Sequence, residues 1–248
     1  MRICAIIPAR YDSSRFEGKP LADINGRPMI WWVYNRLLKS NRIDKVLVAT
    51  DDERISFICD FYGIEYMMTS KSHKSSTNRI YEVAKKLNEY DYYICINGDE
   101  PLIQSKIVEE IIPDTISEDL FVSNLITLIK KPSEVLDPTN IKVVFNDNLR
   151  ALYMSRSPIP YPKASLDYDY YKHIGVLCYN LKGLEFFEKT KKGHLEMIED
   201  INEIRFLENN QQILFKIIDT EVLSVDTPKD LEFIKNYLLK KGITYDNI

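Results

Sequence analysis

The run Ile3-Cys4-Ala5-Ile6-Ile7 sets the terms for what this chain can fold into. It is too short to span a bilayer, and an uninterrupted apolar run of this length reads as a strand buried on both faces of a parallel sheet. The chain leaves it through a loop carrying Arg10, Arg15 and Lys19. In open α/β sheets, ligands bind in the crevice at the carboxyl ends of the strands. Three cations placed there suit a polyphosphate, and they equally suit a solvated loop that happens to be basic.

The pattern then alternates. Pro28 fits the first turn of a helix. Ile30, Val33, Tyr34, Leu37 and Leu38 follow at helical spacing, with Trp31 and Trp32 as packing residues. Residues 45–50 read as a second buried strand. Asp51 or Asp52 can cap the next helix and Gly63 can end it. A short strand over 64–68, a helix from about Thr77 to Asn88 and a third core strand over 92–96 continue the series. Such alternation implies an α/β fold with a doubly wound, mostly parallel sheet. From Leu120 the spacing changes. Strands over 120–128, 141–145, 149–154 and 170–179, with Asn146-Asp147-Asn148 as a hairpin loop, predict an antiparallel insertion at about 120–180. This insertion is expected to form a substrate and dimer lobe within a single 248-residue domain. A helix over 195–207, a strand over 213–218 and a helix over 229–239 complete the chain.

Composition narrows the function. The net charge of −4 provides no broad basic field for nucleic acid. Cys4, Cys59, Cys95 and Cys178 form no CxxC pair and read as buried thiols. No signal peptide and no membrane span is evident, so a soluble cytoplasmic protein is expected.

Two acidic strings could carry chemistry. Asn97-Gly98-Asp99-Glu100-Pro101 follows the third core strand and places Asp99 at its carboxyl end, where Mg²⁺ can use one or two carboxylates. An ordinary turn with Asp99 or Glu100 capping the next helix explains the string equally well. In Val225-Asp226-Thr227-Pro228-Lys229-Asp230, Thr227 as N-cap, Pro228 at N1 and Asp230 at N3 account for a helix start, which leaves Asp226 free to point elsewhere. The polar stretch 72–79 precedes a helix and suits either an anion or a capping loop. Neither GxxxxGK[ST] nor a complete GxGxxG is present.

The string Pro8-Ala9-Arg10-x-x-Ser13-x-Arg15-x-x-x-Lys19-Pro20-Leu21 resembles the N-terminal signature of the CMP-sugar synthetases, most closely the CMP-Kdo (3-deoxy-manno-octulosonate) synthetases. Gly98-Asp99-Glu100-Pro101 and Val225-Asp226-Thr227-Pro228-x-Asp230-Leu231 resemble further signatures of that family. So do His73-x-Ser75-Ser76-Thr77-x-Arg79, Tyr153-Met154-Ser155-Arg156, His173-Ile174-Gly175-Val176 and the stretch 195–205. The resemblance implies a nucleotidyltransferase fold and transfer of CMP from CTP to the anomeric hydroxyl of a small acidic sugar. Mg²⁺ would sit on Asp99 and Asp226, and the product would feed surface polysaccharide or lipopolysaccharide assembly. Nucleotide contacts would fall on Pro8, Ala9, Arg10, Arg15, Lys19, Ser75, Ser76, Thr77 and Asp99. Arg10, Lys19, Asp99 and Asp226 would be catalytic. Acceptor contacts would fall on Arg79, Asn97, Arg156, His173, Asn202 and Glu203. Homodimerisation is implied in the same way.

The match breaks at Ser76, where the family has glycine, and at Asn97, Leu177, Asn202 and Glu203, where it has other residues facing the sugar. A pocket that loses hydrogen-bond partners rejects its old substrate, because buried polar groups go unpaired. These departures predict a Kdo relative or another small acid, such as a phosphonate, as acceptor. A nucleotide-sugar glycosyltransferase is a rival reading, since Asn97-Gly98-Asp99 loosely matches an Asp-x-Asp motif. The basic loop at 10–19 speaks against it. A catalytically silent nucleotide-binding protein is a third, made less attractive by the intact Arg10, Lys19, Asp99 and Asp226.

Overall fold

The computed structural model describes residues 1–12, 16–165, 167–220 and 223–248. Strand β1 (Ile3–Ala9) is followed by a 3-10 turn at Lys19–Leu21, a small hairpin of β2 (Asp23–Ile24) and β3 (Arg27–Pro28), and helix α1 (Met29–Leu37). Next come β4 (Lys45–Thr50), α2 (Glu53–Tyr62), β5 (Tyr66–Met68), α3 (Ser76–Leu87) and β6 (Tyr92–Ile96). After α4 (Ser105–Glu109) run β7 (Val122–Leu128), α5 (Pro132–Leu136), β8 (Lys142–Phe145), β9 (Ala151–Ser155) and β10 (Tyr171–Tyr179). The chain ends with α6 (Leu181–Lys189), α7 (His194–Glu199), α8 (Ile204–Glu208), β11 (Leu214–Ile218) and α9 (Pro228–Lys241).

The main sheet has the order β11-β7-β10-β6-β1-β4-β5. Strands β6, β1, β4 and β5 pair in parallel, as does β11 with β7, while β10 runs antiparallel to both β6 and β7. Because successive residues of a strand face opposite sides, β1 feeds two cores. Ile3, Ala5 and Ile7 pack with Val33, Leu37, Ile55 and Val108 beneath α1, α2 and α4. Cys4 and Ile6 pack with Ile80, Val83, Leu184, Phe187 and Phe206 beneath α3, α6 and α8. This two-sided burial is why the strand has no polar positions. Trp32 is fully buried and joins Val225, Ile234 and Leu238 in a third cluster that docks α9 on α1. All four cysteines are buried and free. Among the described residues no helix is long and apolar enough to cross a membrane.

The helix starts follow local chemistry. Asp52 and Ser75 accept from the backbone N–H two or three residues on, and Thr227 with Asp230 forms a reciprocal capping box. The expected antiparallel insertion at about 120–180 is built into the main sheet: β7 and β10 are two of its strands, and only the β8–β9 hairpin extends beyond its path. One expectation needs correction: 195–207 is not one helix. Asp200 adopts a left-handed conformation with φ 52° and ends α7. The turn lets Ile201, Ile204 and Phe206 enter the core while Met197 and Ile198 face solvent, which one straight helix could not arrange.

Candidate active site

The carboxyl ends of β1 and β6 lie side by side, so the segments leaving them are brought together. After β6, Gly98 passes over β1, where an added Cβ would stand 3.4 Å from Ile7 Cγ2. Its backbone is not left-handed, so its smallness matters for this approach rather than for a special turn. The 97–101 segment does not cap α4, whose N-cap is Gln104. Instead the Asp99 carbonyl accepts from the Val225 N–H at 2.8 Å, which joins this turn to the one ahead of α9. Lys19 bridges both. Its Nζ donates to Asp99 Oδ2 at 2.7 Å and to the Val225 carbonyl at 3.0 Å, and stands 3.6 Å from Asp226 Oδ1. Two aspartates distant in sequence thus converge on one ammonium.

This cluster sits between two cavities. One, of about 240 Å³, is lined by Pro8, Arg10, Asp12, Lys19, Ser76 and Asn97, with Asp99 at its edge. The other, of about 290 Å³, is lined by Asn97, Asp99, Glu100, Asn140, Arg156, Lys172, His173 and Asp226 among others. Asn97 and Asp99 border both.

The second cavity has a graded polarity. Glu100 is buried and accepts from the Gly175 N–H at 3.0 Å. Burial, then the neighbouring Asp99, pushes its carboxyl up to about 8. His173 Nδ1 lies 2.9 Å from Asn124 Oδ1. The Asn124 amide nitrogen already donates to the carbonyls of Ile174 and Val176, so its oxygen must accept the imidazole proton. This tautomer leaves Nε2 as an acceptor. Burial, then Arg156, lowers the imidazole to about 4, which keeps it neutral. On the far side, Lys172 Nζ donates to Glu134 Oε2 at 2.7 Å. Lys142, fully buried, donates to the carbonyls of Asp137 and Asn140 and holds the 137–140 loop in the cavity wall.

The remaining sequence candidates divide. Arg10 donates to the His73 carbonyl at 2.7 Å and reaches the first cavity. Ser75 caps α3, Ser76 lines the first cavity, and Thr77 is buried behind it. Arg15 lies outside the described residues. Three acceptor expectations are corrected. Arg79 is fully buried and donates to Thr69 Oγ1 and, at 2.7 Å, to Asp51 Oδ2, so it braces the sheet end and lines neither cavity. Asn202 and Glu203 also line neither; Glu203 is buried, and its charge is felt by Cys95 and Tyr179. Leu177 packs in the apolar core. Arg156 does border the second cavity, but its Nε and both Nη groups donate to the carbonyls of Glu199, Pro138 and Asp200. Three of its five donors are thus held by the backbone. Sequence reading missed Lys172 and Asn140. The position of Lys172 beside His173 was the available signal.

Among the described residues no group of three or more His, Cys, Asp or Glu side chains is arranged to hold a metal. A cation at this site would rest on Asp99 and Asp226. Two hard oxygen donors suit Mg²⁺, which completes its octahedron with phosphate oxygens and water. The ammonium of Lys19 lying on the same two carboxylates shows that the pair accommodates positive charge.

A parallel sheet whose strand ends gather cations and a carboxylate pair between two cavities defines a nucleotidyltransferase. The cytidylyltransferase family profile matches residues 4–213. The chain belongs to this family, among the 3-deoxy-manno-octulosonate cytidylyltransferases. The enzyme of that name from Fusobacterium nucleatum is 42% identical over 98% of this chain and 99% of its own. An 8-amino-3,8-dideoxy-manno-octulosonate cytidylyltransferase from Shewanella pealeana is 39% identical over 93% of this chain and 96% of its own. A solved CMP:2-keto-3-deoxy-manno-octonic acid synthetase complexed with CTP superposes with a TM-score of 0.91 at 36% identity, covering 97% of this chain and 100% of that one.

Proposed function

We propose that this chain transfers CMP from CTP to the anomeric hydroxyl of 3-deoxy-manno-octulosonate or its 8-amino relative, with release of pyrophosphate. The observation that carries this reading is the Lys19–Asp99–Asp226 cluster at the seam of two cavities. The 240 Å³ cavity beside Arg10 and Ser76 takes the nucleotide, and the 290 Å³ cavity beside His173 and Lys172 takes the acceptor. Asp99 and Asp226 would hold Mg²⁺, which when bound polarises phosphoryl oxygens and neutralises charge. Arg10, Lys19 and, by resemblance, Arg15 offset the charge of the triphosphate and of the departing pyrophosphate. In phosphoryl transfer such positioning and electrostatics supply most of the catalysis. Neutral His173 offers Nε2 to an acceptor hydroxyl, and the loop held by Lys142 shapes the far wall.

Of the four positions that depart from the Kdo pattern on the acceptor side, only Asn97 reaches the cavity. Leu177 is core, and Asn202 and Glu203 lie elsewhere. This weakens the sequence-based case for an unrelated acid. The relatives named for the two octulosonates match at comparable identity, so the choice rests on assay. Purified protein mixed with CTP, Mg²⁺ and each octulosonate is expected to give the mass of the CMP-sugar with stoichiometric pyrophosphate. Failure with both, alongside turnover of a phosphonate, would contradict the assignment. We further infer a cytoplasmic homodimer, with the exposed apolar residues of α7 at the subunit contact, whose product feeds surface polysaccharide or lipopolysaccharide assembly.

A further inference from the structure

The 70–75 loop has no apolar residue to anchor it, yet Ser76 directly after it lines the cavity assigned to the nucleotide. Ser70, Lys71, Ser72 and Lys74 face solvent, and only His73 among them turns inward, its side chain 15% exposed. What it meets is Glu82 on α3. One carboxylate there gathers three donors: His73 Nε2 at 2.5 Å, the Ser70 N–H at 2.9 Å and Lys86 Nζ at 2.6 Å. Burial opposes its ionisation, but Lys86, the Ser70 N–H and His73 outweigh burial and bring the carboxyl down to about 2. An ionised carboxylate only accepts, so His73 Nε2 carries the proton of this bond.

The same residue reaches the nucleotide cavity through its backbone. The His73 carbonyl accepts from Arg10 Nη2 at 2.7 Å, and Arg10 lines that cavity. Burial, then Arg79, disfavours the charge at Arg10, with Asp51 opposing them. A carbonyl oxygen held in place offsets part of that cost. On a solvated loop without an apolar anchor, such a carbonyl would be a loose acceptor. With its imidazole seated on α3 it is a fixed one, and a group ordered in advance loses less freedom when a ligand arrives. We propose that His73 is a positioning residue for the triphosphate: its imidazole, held by Glu82, fixes the carbonyl that aims Arg10 into the nucleotide cavity. This rests on the assignment of that cavity to CTP. His73 takes no part in the transfer itself, so its loss should weaken the nucleotide and spare the acceptor.

Calorimetric titration of the full chain with CTP and Mg²⁺, without acceptor, tests this alongside steady-state kinetics. His73→Phe keeps a ring and removes the donor. It is expected to raise the Kd and KM for CTP about tenfold, while kcat at saturating CTP and the acceptor KM stay within about twofold. His73→Gln, whose amide nitrogen restores a donor, should return the Kd to within about threefold of the wild type. Glu82→Leu removes the acceptor instead and should match His73→Phe. Lys86→Met strips an outer contact from the same carboxylate and should leave CTP binding within about twofold. The proposal is overturned if His73→Phe binds CTP like the wild type, if the acceptor KM rises as much as that for CTP, or if His73→Gln is as weak as His73→Phe. A wild type that takes up no CTP would overturn the cavity assignment itself, and the proposal with it.

Discussion

Lys19 does two things with one ammonium. It neutralises a pair of carboxylates that would otherwise repel each other, and it lines the cavity proposed for the nucleotide. On this account Lys19→Ala should lower kcat/KM for CTP by about 100-fold or more and affect the acceptor KM far less; steady-state kinetics with each substrate varied would show it. Equal effects on both substrates would remove Lys19 from triphosphate binding. Glu203 makes a separate residue-scale prediction. Burial, then Glu196, raises its carboxyl to about 7. The folded state therefore keeps a proton that the unfolded chain releases near the usual carboxylate value, and stability must fall as pH rises from about 4.5 to about 7. Glu203→Gln lacks this loss. Its Tm should exceed that of the wild type at pH 8 and the difference should shrink toward pH 5. A constant difference would contradict the assignment. Residue roles were legible where the local string explains itself, as with Thr227 and Asp230. They were illegible where burial decides: Arg79 ends a polar string and by resemblance is expected at the acceptor, yet Asp51 at the end of β4 holds it fully inside.

The elements that position the site are β6 and β10 with the turns ahead of α4 and α9. The capping box ahead of α9 holds Asp226 in place, since the Asp230 carboxylate accepts from the N–H groups of Asp226 and Thr227 at 3.0 and 2.7 Å. Thr227→Ala should therefore cost about 1 kcal/mol in chemical denaturation and also reduce turnover through the displaced aspartate. A stability loss with full activity would show that the box serves the helix alone. Strand β1 and its parallel neighbours were readable because burial on both faces leaves an unbroken apolar run. The fate of 120–180 was not, because antiparallel spacing does not reveal whether a strand pairs within its own hairpin or inserts into an existing sheet. Strand β10 does the latter, between β6 and β7. The break between α7 and α8 was equally hidden, since an Asp in a left-handed turn leaves no gap in helical spacing.

At the scale of the molecule, Met197 and Ile198 are 60% and 66% exposed on α7, which is tied to β9 through the Ser155–Glu199 hydrogen bond, and Leu152 of β9 is 61% exposed. Exposed apolar side chains on neighbouring residues of one short helix are where the proposed subunit contact would fall. Light scattering is expected to give twice the 29.1 kDa of the chain, and Met197→Lys with Ile198→Lys should return it to that mass; a wild-type monomer would refute the subunit contact. The central claim is that Asp99 and Asp226 serve one catalytic site beside Lys19. A double-mutant cycle on CTP-dependent pyrophosphate release tests it most directly. Asp99→Asn and Asp226→Asn should each reduce turnover by at least about 100-fold, and the double variant should be scarcely worse than the poorer single one, because residues acting as a unit are not additive. Near-normal turnover in either single variant, or losses that simply multiply, would contradict it.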